Sequence, residues 1–306
     1  MAQMYQQATG EPVDGVIGID VPGLARVLRV VGPIAVPGIA EPVSADNAAR
    51  LLLHDLYEGL LPGSDQSGRR ELLSEVVEAL IERLRQGDHD AVALGRELGE
   101  AAAGGHLRLA SVAPEEQRTF EQLGLGGSPA SVSPSRTFHL AVENRTATKL
   151  DYYVVPKVSQ RVRVTEQGTA IVHTTVTLDN QAPVGALPSY QLGPDQFTKR
   201  PGDYTAWVLL WGPRGAAQKG AVEESGLVLT PAVTEVGAGA TKQVAFETII
   251  PRAVRDGQLQ LRLVPQSRLQ PARLDVKLDA PAWQVEGPAR WTGPWDRVRT
   301  FTWELR

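Results

Sequence analysis

The spacing of apolar residues changes once along this chain, from a helical period to a period of two near residue 137, so helices must come first and sheets second. Ahead of that change, Gly15-Val16-Ile17-Gly18-Ile19 is a short, nearly continuous apolar run, which predicts a strand covered on both faces. Asp20 and Pro22 then signal a helix start. Leu24, Val27, Leu28 and Val31 keep to one helical face until Gly32-Pro33 stops it. Residues 34 to 36 read as a further short strand, and Ser44 as the cap of a helix through Leu51, Leu52, Leu53 and Leu56. After a loop at 62 to 68, residues 69 to 86 place Leu72, Leu73, Val76, Val77, Leu80, Ile81 and Leu84 on one stripe and four glutamates opposite. A helix over 88 to 103, a strand over 106 to 112 and a short helix from Pro114 follow. In the last, Phe120 and Leu123 point inward and Gly124 caps the end.

Residues 124 to 136 are rich in Gly, Ser and Pro and read as a linker. Behind it, strands are expected at about 137 to 143, 149 to 155, 160 to 165, 170 to 178, 204 to 211, 226 to 229, 241 to 249, 259 to 264, 272 to 278 and 297 to 305. Leu259, Leu261 and Leu263 alternate with polar residues, as do Phe301, Trp303 and Leu305, so each of these strands buries one face. The fold class that follows is α+β in two domains. Residues 1–136, with 124–136 as the linker, form an α/β domain, and 137–306 an all-β immunoglobulin-like sandwich.

A length of 306 residues suits about two domains at roughly 150 residues each. The absence of cysteine excludes disulfides, zinc fingers, iron-sulfur clusters and thiol nucleophiles. Through residue 140 there are 11 basic against 19 acidic side chains, a net charge of −8, and behind it 20 against 16, a net of +4. No concentrated basic stripe results, so nucleic acid is not an expected partner. No stretch approaches the roughly 18 apolar residues of a membrane helix, and residues 1 to 5 lack the pattern of a signal peptide. Taken literally, that start describes a cytoplasmic chain.

Signatures of phosphate-binding loops, zinc proteases, serine hydrolases and calcium loops are missing. The five histidines do not approach metal-ligand spacing, so neither a metal nor a cofactor is expected, and no catalytic residue is assigned. Two groups are candidates for ligand binding. Asn47, Arg50 and His54 stand at i, i+3 and i+7, which on a helix is one face opposite the leucines; a polar surface with an Asp46–Arg50 ion pair is the simpler account of them. In the run from Asn144 to Tyr153, Lys149, Asp151 and Tyr153 share one face if the segment is a strand. A cross-strand polar ladder next to an Asn-containing turn explains that grouping most simply, and a ligand or interdomain contact is the alternative.

The segment Glu11-Pro-Val-Asp-Gly-Val-Ile-Gly-Ile-Asp20, its continuation through residue 33, Ser44-Ala-Asp-Asn47, and Asn144 through Lys149-Leu-Asp-Tyr-Tyr153 together resemble the second half of the domain-of-unknown-function 4012 family. These are uncharacterised bacterial envelope proteins, and the resemblance runs over about residues 1 to 180. It implies a short cytoplasmic start, one membrane-spanning helix and a long extracytoplasmic region. It also implies that this chain begins where the family's domain is half complete, as a fragment or a misassigned start, so that the α/β domain is of an incomplete three-layer type. Residues 13 to 33 are similar, more weakly, to the LytR-CpsA-Psr family, which transfers lipid-linked polymers onto the bacterial cell wall. Those enzymes hold a polyprenyl pyrophosphate with arginines and an acidic residue near a metal. Their motifs have no match here, so no catalytic residue carries over, and Arg50 marks where a phosphate would sit. The expected function is a non-enzymatic, extracytoplasmic envelope module contacting cell-wall polymer or another envelope protein. The alternative is a phosphotransferase-like protein acting on polyprenyl-linked substrates. A solute-binding module would need a deep apolar pocket.

Overall fold

The computed structural model describes residues 2–61, 63–65 and 67–306. The chain divides into two compact units, the first running through Ser128 and including Ser189–Gln191, the second comprising Pro129–Pro188 and Leu192–Arg306. The whole is mixed α+β and rich in sheet.

The first unit contains α1 (Ala2–Thr9), β1 (Gly15–Ile19), α2 (Val21–Val31), α3 (Ala48–Leu53), α4 (Ser67–Arg85), α5 (Ala91–Ala103), β2 (Leu107–Ser111) and α6 (Pro114–Gln122). Asp20 caps α2 by accepting from the Gly23 N–H at 3.0 Å, and its second oxygen lies 2.8 Å from His106 Nδ1, fastening the helix start to the approach of β2. The α2 stripe of Leu24, Val27, Leu28 and Val31 is buried with Ile34, Val36, Val43, Leu51, Leu52, Val76 and Leu80 in one apolar cluster.

Three expectations change here. β1 is not covered on both faces: it pairs only with β2, antiparallel, and Ile17 is 74 % exposed. The cluster is formed by the helix stripes with Ile34, Val36 and Val43 and contains no β1 residue. α6 buries no residue and Leu123 is exposed, although Gly124, at φ +74°, does end the helix as its freedom in the left-handed region allows. On α4 the stripe is narrower than its sequence, since Val76 and Leu80 are buried while Val77 and Ile81 face outward. No helix among the described residues is long and apolar enough to cross a membrane.

The second unit contains β3 (Thr137–Asn144), β4 (Val154–Val164), β5 (Ala170–Asn180), β6 (Tyr204–Gly212), β7 (Ala217–Gln218), β8 (Val222–Glu224), β9 (Leu227–Val236), β10 (Thr241–Ile250), β11 (Val254–Arg255), β12 (Gln258–Val264), β13 (Ala272–Asp279), β14 (Val285–Glu286), β15 (Arg290–Trp295) and β16 (Arg299–Leu305). A six-stranded sheet runs β15-β13-β4-β5-β10-β7. An eight-stranded sheet runs β14-β16-β12-β3-β6-β9-β8, with β11 on β12. Two pairs are parallel, β3 with β12 and β4 with β13. Both sheets contribute to one apolar core, from Val158, Val162, Val172, Val176 and Leu274 on one side to Phe138, Tyr204, Val208, Leu261 and Trp303 on the other.

Two side-chain amides hold this pair of sheets at separate places. Asn180, fully buried at the end of β5, donates to the carbonyls of Gly202, Val236 and Gly237 at 2.8, 3.0 and 3.1 Å and accepts from Ala182 N–H. Gln218 on β7 donates to Thr248 Oγ1 of β10 at 2.7 Å and accepts from Thr230 Oγ1 of β9 at 2.6 Å, linking one sheet to the other. A Cβ at position 212 would intrude on that Gln218 amide, so the close approach requires Gly212.

Trp303 is 3 % exposed and its Nε1 donates to Pro288 O at 3.1 Å. Trp303→Ala therefore costs roughly 3–5 kcal/mol, read from the shift in a denaturant unfolding curve; a loss under about 1 kcal/mol would mean that β16 is peripheral. Asn180→Ala, which removes the side-chain amide donating to the carbonyls of Gly202, Val236 and Gly237, costs about 1–3 kcal/mol by the same measurement.

Candidate functional site

The helix that was to carry Asn47, Arg50 and His54 on one face is too short to do so. α3 covers only Ala48–Leu53, with Asn47 at its start and His54, already outside helical geometry, at its end. Ser44 does not cap it directly: Ser44 N–H donates to Asn47 Oδ1 at 2.7 Å and Asn47 N–H to Ser44 Oγ at 3.4 Å, which holds a turn ahead of the helix. Past His54, the tight turn Asp55–Tyr57 carries Asp55 back to the Arg50 guanidinium. Arg50 therefore bonds Asp55 through Nη1 and Glu41 through Nη2, and the expected partner Asp46 is replaced by these two.

This folding-back builds a compact ionic cluster. Asn47 Nδ2 donates to Glu41 Oε2 at 3.2 Å and to Pro42 O at 3.0 Å. The hydrogen bond from Arg50, reinforced by Asn47, holds the Glu41 carboxyl below its ordinary value, and the same bond to Glu41 raises the Arg50 guanidinium. His54 Nδ1 lies 2.9 Å from Asp55 Oδ1 and 3.7 Å from Glu58 Oε1. Gln191 Nε2 donates to the His54 carbonyl at 2.7 Å. Just beyond, Tyr57 stacks on Tyr190 with ring centroids 5.6 Å apart. It also accepts a 3.0 Å hydrogen bond from Arg69, and burial pushes its phenol up.

The second candidate group is not a strand face. Asn144 ends β3 by accepting from Thr146 N–H at 2.8 Å while its amide donates to Thr148 O at 3.2 Å, and this side-chain turn reverses the chain. Residues 150 to 152 form a tight helical turn, and β4 starts only at Val154. Lys149, Asp151 and Tyr153 are thereby separated. Asp151 accepts from Tyr204 O–H at 2.9 Å and lies 3.7 Å from Arg268 Nη2, whose guanidinium also donates to Val142 O and Val154 O. Tyr153 packs against the core and meets Tyr152 edge-on. These contacts anchor the strand ends, and burial raises the Tyr204 phenol strongly.

Sequence reasoning missed a third surface. Along β6 the residues opposite the core are Trp207, Leu209 and Trp211; Glu143, Ala141 and His139 of β3 flank them on one side, and Val233, Pro231 and Leu229 of β9 on the other. Trp207 is 42 % and Val233 54 % exposed. Asp195 prepares one end of this face: its carboxylate accepts from Ala147 N–H at 2.7 Å and from Phe197 N–H at 2.9 Å. Beside it the Arg145 guanidinium lies 5.0 Å from the Phe197 centroid and 4.9 Å from the Trp207 centroid. A hollow of about 400 Å³ beside Phe197 is lined by Lys199, Arg200, Asp203 and Glu235. At the other end Trp211 Nε1 donates to Glu224 at 2.7 Å. The signal was present, since residues 204 to 212 are apolar at nearly every position, yet such a run reads equally as a strand covered on both sides.

With a sheet-rich α+β fold in view, residues 1–57 match the family described as "Protein of unknown function (DUF4012)". The match spans α1 to the Asp55–Tyr57 turn and is shorter than the 180 residues expected from the motifs. No curated protein matches the chain. The solved structures that are similar include a Legionella pneumophila protein provisionally described as nutrient binding. It is 10% identical over 56% of this chain and 70% of that one, with a TM-score of 0.32; a likeness of that degree carries no inference about ligand.

Replacing Arg50 with Gln removes the main cause of the depressed Glu41 carboxyl. In that variant the Glu41 titration, followed by side-chain carboxyl NMR, moves up toward the ordinary value of 4.5; an unchanged titration would assign the depression to Asn47.

Proposed function

We propose that this chain is a non-enzymatic interaction module of the bacterial cell envelope, working outside the cytoplasmic membrane, in which an immunoglobulin-like second domain beyond a linker at 124–136 binds cell-wall polymer. The observation that carries the binding role is the outward face of β6. Its inner side already covers the core through Tyr204, Ala206, Val208 and Leu210, so Trp207 and Val233 on the outer side add nothing to that core and stand partly open to solvent. Aromatic ring faces pack against the C–H faces of sugar rings. Glu143 and Arg145 at the rim supply the acceptor and donor that hydroxyl groups require. The envelope setting is only what the family resemblance implies; the matching family, over residues 1–57, is itself of unknown function.

The phosphotransferase-like alternative, acting on polyprenyl-linked substrates, would place a phosphate on Arg50. That guanidinium already answers both Glu41 and Asp55, and a phosphate would have to displace two carboxylates, which ranks this reading second.

Co-sedimentation of the purified chain with isolated, protein-free cell wall tests the proposal. Wild type binds, and Trp207→Ala weakens binding about tenfold, the effect of losing a contact of about 1.4 kcal/mol, with the fold retained because the side chain lies on the sheet face opposite the core. Equal sedimentation of wild type and variant overturns the assignment of this face.

A further inference from the structure

We propose that His54, Asp55 and Glu58 bind a divalent first-row transition ion of the zinc type. The inference rests on the first unit alone and is independent of polymer binding by β6.

The geometry comes from the tight turn after α3. His54 stands just before that turn, Asp55 opens it and Glu58 follows it, and one ligand atom from each residue lies within 4.8 Å of the other two. Zinc bonds to nitrogen and oxygen of about 2.0–2.1 Å at tetrahedral angles set neighbouring ligand atoms roughly 3.3 Å apart. The separations from His54 Nδ1, 2.9 Å to Asp55 Oδ1 and 3.7 Å to Glu58 Oε1, fall on either side of that value. Small side-chain rotations bring the three donors onto one ion.

The donor set selects the ion. One imidazole nitrogen with two carboxylate oxygens suits zinc and its neighbours, whereas magnesium and calcium prefer oxygen alone. Three protein ligands leave a fourth position for water, and the side chains of His54 and Asp55, about a quarter exposed, leave room for it.

The surroundings hold the donors in place. Arg50 occupies Asp55 Oδ2, which directs Oδ1 toward His54, and Gln191 fixes the His54 backbone; such supporting contacts orient metal ligands generally. Glu41 answers the charge of Arg50, so Arg50 does not cancel the two carboxylates. Among the described residues, Glu58 pairs with neither lysine nor arginine. In the ion-free chain the His54 Nδ1 hydrogen faces Asp55. The ion takes the Nδ1 lone pair only when the neutral ring's single hydrogen sits on Nε2, so binding exchanges the tautomer through solvent with no net proton gained or lost by the ring.

Calorimetric titration of the full chain with zinc chloride tests the site. The expected result is one ion per chain, with affinity reduced about tenfold or more in Glu58→Gln and in His54→Ala, in the range seen when contacts to a metal site are lost. Glu58 is 68 % exposed, so its variant keeps the fold even if His54→Ala does not. His173→Ala, which removes the exposed His173–Glu247 pair elsewhere, leaves the titration unchanged. Absence of zinc binding by wild type overturns the proposal, as does binding that Glu58→Gln leaves intact.

Discussion

Burial of every second residue along β4 and β5 is the constraint on which the second unit depends. The two strands pair antiparallel over their full length, from Val154 opposite Asn180 to Val164 opposite Ala170, and their inward positions are buried from end to end. A slip of one residue would turn the whole valine row to solvent. A polar pair guards the register as well. Gln160 and Thr174, directly opposite and both buried, share a 3.3 Å hydrogen bond inside an otherwise apolar interior, and any other pairing would bury both against hydrocarbon. With this centre fixed, β13 and β10 dock on its two sides, and Asn180 at its end gathers the loops of the facing sheet.

The strands that were legible in the sequence are those with clean alternation: Leu259, Leu261 and Leu263 of β12, and Trp303 and Leu305 of β16, are all buried. Strand β15 was not legible because Gly293-Pro294 reads as a turn. It survives as an edge strand, paired only with β13, where a missing N–H costs no ladder bond. The two- and three-residue strands β7, β8, β11 and β14 are too short to display a period at all. The helical first part was legible through α2, whose stripe and cap agree, and less so through β1, whose apolar run does not reveal how few neighbours it has.

For the candidate residues, spacing was a poor guide because it presupposes the element. Asn47, Arg50 and His54 share a face only on an unbroken helix, and the chain leaves that helix at His54. Lys149, Asp151 and Tyr153 share one only on a strand, and Asn144 bends that segment before it extends. What a helical wheel or a strand ladder hides is the short turn, where neighbours in sequence such as His54 and Asp55 become neighbours in chemistry.

The Gln218 clasp bears on how this unit opens. β9 and β10 follow one another in sequence but lie in different sheets, and on their diverging side a single amide, rather than a ladder of backbone bonds, reaches across from Thr230 to Thr248. Loss of those two bonds removes the side-chain link there, while the backbone pairing of β7 with β10 and of β4 with β5 stays in place. Breathing of the molecule is thus directed to one seam: amide protons of β7 exchange with solvent through small, frequent openings, and those of β4 and β5 only when the unit unfolds as a whole.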